Sequence, residues 1–187
     1  MEKINLGPKV FIYPMPVTLV GATVHGRDNF MTAAWVMRVN MTPPLVAVAI
    51  NRAHYTAGGI RENETFSLNF PGVALLEKTD YCGLVSGRKV DKSAIFEVFY
   101  GMLESAPMIT ECPLCLECRL VNIVELPSNH LFIGEIVAGY SEARFLTEGV
   151  PDLKKMDLMV LTMPDKHYWS LGEPVGEAWS AGKKLKE

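Results

Sequence analysis

The sequence contains no apolar run long enough to cross a bilayer. Its longest such run, Leu45 to Ile50, is far shorter than the roughly 20 residues that a spanning helix needs. The chain also opens without the long apolar stretch of a secretory signal. Basic residues are not in excess, since the net charge is −3 at pH 7, and this excludes a broad positive field that would hold nucleic acid. We therefore expect a cytoplasmic protein with no nucleic-acid or membrane partner.

Two common phosphate-binding motifs are also missing. The chain has neither G-x-G-x-x-G nor G-x-x-x-x-G-K-[ST]. A nucleotide cofactor, if one is bound, must therefore be held by a few local donors on some other framework.

Cysteine is sparse, with four in the chain. The run from Cys112 to Cys118 follows C-x-x-C-x-x-C, like part of an iron–sulfur sequence, but the next cysteine of that pattern is replaced by Asn122. Cys82 is a possible fourth ligand of a zinc site. However, a strand over residues 115–125 would point the last two cysteines of the run to opposite faces. We therefore expect buried thiols and no metal.

What is present is typical of one globular domain over residues 1–187, with a C-terminal extension from about residue 165. Hydrophobic residues make up 49% and charged residues 21% of the chain. Short β-like runs predict strands over residues 17–24, 30–37, 45–50, 65–70, 115–125, 130–137 and 156–162. Helical patterns are fewer and cover residues 56–63, 74–82 and 91–96, and residues 26–29 have the composition of a turn. This density predicts a mainly β protein with short α-helices, in which an antiparallel sheet closes into a barrel.

Several segments, taken in order, resemble the flavin-reductase-like, FMN-binding split-barrel family, and its flavoredoxin branch in particular. They are P-V-T-L-V-G from Pro16, N-x-M-T-A-A-W from Asn29, T-P-P-L-V from Thr42, I-N-R-x-H-Y-T from Ile50, the segment 86–92 and the strand 130–136. The resemblance implies a Greek-key split barrel that binds FMN.

The first candidate site is the strand segment that carries N-x-M-T-A-A-W. A flavin ring needs small side chains that let the backbone approach its polar edge, and Thr32, Ala33 and Ala34 offer this. Met31 and Trp35 would wall the ring, and Asn29 belongs to the same motif. The alternative is that Met31, Ala33 and Trp35 form one face of a buried strand.

The second candidate site is a pair of polar clusters for the FMN phosphate. Arg52, His54, Tyr55 and Thr56 stand at a strand end before a helix N-terminus, which is itself an anion site. Asn51 either bonds the ribityl chain or fixes the turn. The second cluster comprises Ser86, Arg88 and Lys92. The alternative is that both clusters are solvated charged loops, and the family resemblance implies that they converge on one phosphate.

His130 is the catalytic candidate. At the start of a barrel strand it would contact the nicotinamide or donate a proton near the flavin, and its match to the family's histidine favours this. The alternative is a hydrogen-bonded histidine at a strand entry.

The resemblance implies an oxidoreductase that passes electrons from NAD(P)H through FMN to a flavin, a metal complex or a redox protein. Two alternatives stay open. One is a flavoredoxin-like FMN electron carrier with no NAD(P)H site of its own, and the other is a split barrel that binds haem, F420 or no cofactor.

The resemblance also implies a homodimer with FMN near the interface. The C-terminal extension carries Trp169 and Trp179. We expect it to reach across to the partner or to cover the flavin.

Overall fold

A computed structural model describes residues 1–185, which form fourteen strands and three α-helices. The strands are β1 (Met15–Pro16), β2 (Thr18–Val24), β3 (Arg27–Ala33), β4 (Val36–Asn40), β5 (Leu45–Asn51), β6 (Thr65–Phe70), β7 (Val98–Phe99), β8 (Met108–Ile109), β9 (Leu114–Glu125), β10 (Asn129–Tyr140), β11 (Leu146–Thr147), β12 (Val150–Pro151), β13 (Met159–Thr162) and β14 (His167–Ser170). The helices are α1 (Tyr55–Asn63), α2 (Leu76–Leu84) and α3 (Leu153–Met156).

Seven strands form one antiparallel sheet in the order β3-β2-β6-β9-β10-β5-β4. The two edge strands, β3 and β4, follow one another in the chain, so the residues between them bring the two edges together. The sheet confirms the predicted mainly β, antiparallel fold with few short helices. Its strand order departs from a simple meander because β2 pairs with β6 and β5 pairs with β10.

The first hairpin differs in detail from the sequence prediction. Its turn is the pair His25 and Gly26, with φ of 50° and 73°, which suits the tight two-residue turns that match the twist of paired strands. The predicted turn over 26–29 is therefore wrong, and the predicted strand 30–37 is two strands. The break falls at Ala34 and Trp35 because β3 pairs with β2, whereas β4 pairs with β5.

The sheet has a buried cluster on each face. Inside the barrel, Val20, Val48, Phe66 and Phe132 are among the fully buried side chains. On the outer face, residues of β2, β3, α2 and the segment before β9 form a second cluster. Cys118 belongs to the first cluster and Cys115 to the second, so the strand does point them to opposite faces. Within residues 1–185 no three His, Cys, Asp or Glu side chains are grouped to hold a metal ion.

Helix α1 covers one end of the barrel and places its own N-terminus beside α2. Ala57 and Ile60 are buried in the inner cluster. The helix begins at Tyr55, one residue earlier than predicted, and His54 is its N-cap residue. The predicted helix 91–96 is wrong, because only a single 3₁₀ turn over Ser93–Ile95 forms there.

The C-terminal extension begins with a strand that packs beside α2. β14 pairs with β13, and the Tyr168 hydroxyl donates a hydrogen bond of 3.0 Å to Asp80 Oδ1. Residues 186 and 187 of the predicted extension lie outside the described residues. No helix in residues 1–185 is long and apolar enough to span a membrane.

Two adjacent glycines in α1 test how closely the helix approaches the barrel. Gly58 has open space where a Cβ would stand, whereas a Cβ on Gly59 would overlap the Thr23 carbonyl oxygen and lie 2.6 Å from Val24 Cγ2. Gly58→Ala should raise the free energy of unfolding by about 0.5–1 kcal/mol through helix propensity. Gly59→Ala should lower it by about 1–3 kcal/mol through overpacking. Denaturant titration of both variants measures the two changes in the free energy of unfolding. Equal changes would contradict the close approach of Gly59 to the barrel.

Candidate functional site

A polar pocket of about 210 Å³ lies where the N-terminus of α1 meets the C-terminal end of α2. We call it the helix-end pocket. Its lining residues come from three places, namely β3, the start of α1, and the end of α2 with the segment that follows: Met31, Thr32, Ala53, His54, Tyr55, Thr56, Cys82, Gly83, Leu84, Val85, Ser86, Gly87 and Lys92. The structure therefore brings the turn before α1 and the distant segment 86–92 together.

Lys92 is the buried cation of this pocket, with 3% of its surface exposed. Its ammonium donates hydrogen bonds of 3.0 and 3.2 Å to the carbonyl oxygens of Cys82 and Val85 at the end of α2. Burial lowers the pKa of Lys92 from its usual range. An ammonium has three donors, so one remains for a ligand in the pocket.

The N-terminus of α1 faces the same pocket without a side-chain cap. His54 makes no capping hydrogen bond, and the first turn contains no acidic residue. The first N–H groups of a helix have no partner within it and carry a partial positive charge. Partial burial, and secondarily the charge of Lys92, lowers the pKa of His54.

The segment after α2 forms the opposite wall. The Ser86 hydroxyl accepts a hydrogen bond of 3.3 Å from the Arg88 N–H. Gly87 is buried, and a Cβ there would clash with Asn29 Oδ1 and lie 2.9 Å from Tyr55 Cδ1. Arg88 is exposed and stands over the Tyr55 ring at 5.9 Å, so it lies beside the pocket without lining it.

The N-x-M-T-A-A-W segment is divided between three environments. Met31 and Ala33 are buried in the barrel core, each with 8% exposed, and Met31 also touches the helix-end pocket. The buried-strand alternative therefore holds for these two residues but not for Trp35, which is 52% exposed. Thr32 lines that pocket and donates a hydrogen bond to the Thr79 carbonyl. Ala34 and Trp35 lie elsewhere and line a second cavity.

This second cavity, the apolar groove, has a volume of about 870 Å³. It separates the N-terminal segment from the outer face of β4 and β5. Its lining residues are almost all apolar: Pro8, Lys9, Val10, Phe11, Ile12, Pro14, Met15, Pro16, Ala34, Trp35, Val36, Met37, Ala47, Ala49 and Leu131. No sequence pattern marks the N-terminal segment as part of a cavity, because its apolar residues follow no regular period.

Six predicted site residues line neither cavity, namely Ala33, Arg88, His130 and the three described next. Asn51 Oδ1 accepts a hydrogen bond of 3.0 Å from the Ala53 N–H, so Asn51 fixes the turn. Arg52 is exposed. Asn29 is 3% exposed and lies behind the wall of the helix-end pocket, where its Nδ2 donates a 2.7 Å hydrogen bond to Thr56 Oγ1.

His130 also lies away from both cavities. Its Nδ1 is 3.2 Å from Arg61 Nη2 and 3.9 Å from Glu125 Oε1, and Arg61 donates a 2.7 Å hydrogen bond to Glu125. Within the described chain His130 is therefore part of a polar cluster at the barrel end.

The helix-end pocket has the chemistry of an anion site. It combines a buried ammonium, an uncapped helix N-terminus and the hydroxyl-bearing residues Thr56 and Ser86, and no acidic residue is among its described lining. Cys82 also lines it, but burial raises the pKa of that thiol to about 11, so it is not a nucleophile at neutral pH.

The fold and the pocket define a class of protein, an antiparallel split barrel with an anion site at one helix end. A family model described as "Flavin reductase like domain" matches residues 10–153. The chain therefore belongs to the flavin reductase-like family.

Solved structures are similar over nearly the whole chain. The flavoredoxin of Methanosarcina acetivorans is 57% identical, with a TM-score of 0.97, and the match covers 99% of this chain and 100% of that one. The flavoredoxin of Desulfovibrio vulgaris (Miyazaki F) is 33% identical, with a TM-score of 0.92, over 97% and 100% of the two chains. An FMN-binding protein from Thermus thermophilus is 25% identical, with a TM-score of 0.80, over 95% and 97%.

A curated relative from Aeropyrum pernix, itself uncharacterised, is longer. It is 35% identical over 133 residues, which are 70% of this chain but 51% of the relative. The chain thus spans about half the length of that relative.

Proposed function

We propose that this chain binds FMN with the phosphate in the helix-end pocket. The observation that carries the proposal is the buried Lys92 ammonium beside the uncapped N-terminus of α1. Thr56 and Ser86 supply hydroxyl donors, and Tyr55 and Gly87 shape the walls. The similarity to an FMN-binding protein supports the choice of this anion over others.

The flavin ring would lie along the chain from Thr32 to Trp35. This stretch leads from the helix-end pocket to the apolar groove, and the small, partly exposed Ala34 would let a ring approach the backbone there. FMN, when bound, supplies the redox chemistry, because its ring accepts a hydride and releases electrons singly or in pairs. The residues of this chain bind it, orient it and limit its contact with water.

We further propose that the protein is an oxidoreductase that takes electrons from NAD(P)H and passes them to a flavin, a metal complex or a redox protein. Membership of the flavin reductase-like family supports this. A second candidate, an FMN electron carrier without its own NAD(P)H site, is favoured by the similarity to two flavoredoxins. The nicotinamide contact of His130 and the cytoplasmic location stay predictions.

The two candidates differ in their use of reduced nicotinamide. The FMN-loaded protein should consume NADH or NADPH when free flavin or ferricyanide is present, and the near-ultraviolet absorbance of the reduced nucleotide should fall. If neither nucleotide is consumed, but chemically reduced protein still passes electrons to an acceptor, the carrier is the correct candidate. A purified protein that stays colourless after incubation with FMN would contradict both.

The phosphate placement is tested by comparing FMN with riboflavin, which lacks the phosphate. Lys92→Met should weaken FMN binding by about tenfold or more, because a hydrogen bond to a charged group contributes about 1.5–3 kcal/mol. Riboflavin binding should change little. Lys89→Met is the matched control, since Lys89 is exposed on the same segment and lies outside the pocket lining. Flavin fluorescence titration measures each affinity, and a similar loss for both flavins in Lys92→Met would place the phosphate elsewhere.

We also propose that the apolar groove is closed by a second copy of the chain. Trp35 and Met37 are 52% and 63% exposed within it, and the N-terminal segment beside it adds Ile12 at 84%. An exposed apolar surface of this extent is typical of a protein interface. The described residues of the C-terminal extension line neither cavity, and its contact with a partner stays part of this proposal.

The dimer is tested by placing a charge in the groove. Met37→Glu should shift the protein toward monomer in light scattering after size-exclusion chromatography, because a buried unpaired carboxylate opposes association. Met102→Glu is the control, since Met102 is 72% exposed and lies outside the groove. A wild-type monomer, or a dimer that Met37→Glu leaves intact, would contradict the proposed interface.

A further inference from the structure

Asn29 is a buried polar residue of β3. Its neighbours on the same face, Met31 and Ala33, belong to the barrel core. Asn29 is 3% exposed and does not line the helix-end pocket. A buried amide costs free energy unless its hydrogen bonds are made. The contacts of Asn29 therefore indicate its role.

Those contacts join the two halves of the pocket wall. Asn29 Nδ2 donates a 2.7 Å hydrogen bond to Thr56 Oγ1 in the first turn of α1. Asn29 Oδ1 is buried without a hydrogen-bond partner among the described residues, and it packs against the Cα of Gly87 so closely that no Cβ fits there. Asn29 therefore lies between the start of α1 and the segment 86–92.

The hydrogen bond from Asn29 leaves the proton of the Thr56 hydroxyl available for donation to another group. A hydroxyl has one proton to donate. Because the Asn29 amide already donates to this oxygen, the Thr56 proton cannot be used in that contact. Thr56 is 1% exposed and lines the pocket, and within residues 1–185 its hydroxyl donates to no other group.

We propose that Asn29 is a positioning residue, which holds Thr56 as a hydrogen-bond donor to the anion in the helix-end pocket. Asn29 does not touch the anion itself. This inference rests on the proposed FMN function, and it assigns the asparagine of the N-x-M-T-A-A-W segment an indirect role. The amide is required because it donates, whereas a carboxylate of the same shape only accepts.

The test is the ratio of FMN affinity to riboflavin affinity in four proteins: wild type, Asn29→Asp, Thr56→Val and the double variant. Asn29→Asp keeps the shape but reverses the hydrogen bond, so that the Thr56 proton turns away from the pocket. We expect each single variant to lower the ratio about tenfold, the value of one hydrogen bond to a charged group. The double variant should fall no further than the single variants, because both remove the same donor.

Two controls separate this role from charge and from loss of structure. If the introduced carboxylate acted only by repelling the phosphate, adding Asn29→Asp to the Thr56→Val variant would lower the ratio as much as adding it to wild type. That result would overturn the inference. Asn122→Asp adds the same charge to an exposed asparagine of the barrel and should leave the ratio unchanged. Thr56→Ser keeps the hydroxyl, so its ratio should stay within about twofold of wild type. A ratio that Thr56→Val leaves unchanged would also overturn the inference.

The outcomes distinguish this inference from the proposed function. A wild-type protein that binds FMN and riboflavin equally well refutes the phosphate placement itself. A wild-type preference for FMN that Lys92→Met removes, but that Asn29→Asp and Thr56→Val both leave unchanged, refutes only the role of Asn29. If Asn29→Asp fails to fold, the comparison of Thr56→Val with Thr56→Ser still decides whether the hydroxyl donates to the anion.

Discussion

The seating of α1 on the end of the barrel is the contact on which the site depends. Ala57 and Ile60 are buried in the inner core, and Gly59 lets the helix backbone approach the Thr23 carbonyl. This packing fixes the direction in which the N-terminal N–H groups point. Because Thr56 is held from behind by Asn29, the first turn of the helix cannot shift without disturbing the barrel.

The electrostatics of the pocket follow from that placement. A buried ammonium is costly in an apolar environment, and Lys92 offsets the cost through the carbonyl oxygens at the end of α2, where the partial charge of the helix is negative. The N-terminus of α1 contributes positive partial charge to the same space. The two helix ends thus act differently, since one stabilises the cation and the other, together with that cation, favours an anion.

A polar and an apolar surface lie on two sides of one short stretch of chain. The end of β3 borders the helix-end pocket at Thr32, and the link to β4 borders the apolar groove at Ala34 and Trp35. This link exists because the chain passes from one edge of the sheet to the other. The closure of the split barrel therefore places a polar pocket and an apolar surface next to each other.

Local patterns in the sequence were sufficient to predict most barrel strands and the helix that ends at Asn63, because alternation and turn chemistry depend on near neighbours. They also carried the likeness to the flavin reductase-like family. Which predicted residues share the pocket depended on contacts between distant segments. Arg52 and His130 have suitable chemistry, yet their side chains lie outside the pocket, whereas Lys92 reaches it because the segment after α2 folds back against α1. Asn29 shows the same limit, since its partners Thr56 and Gly87 lie far away in the chain. Periodicity reports the face of an element on which a residue lies, and only the packing of the barrel, the helices and the connecting segments decides which faces meet.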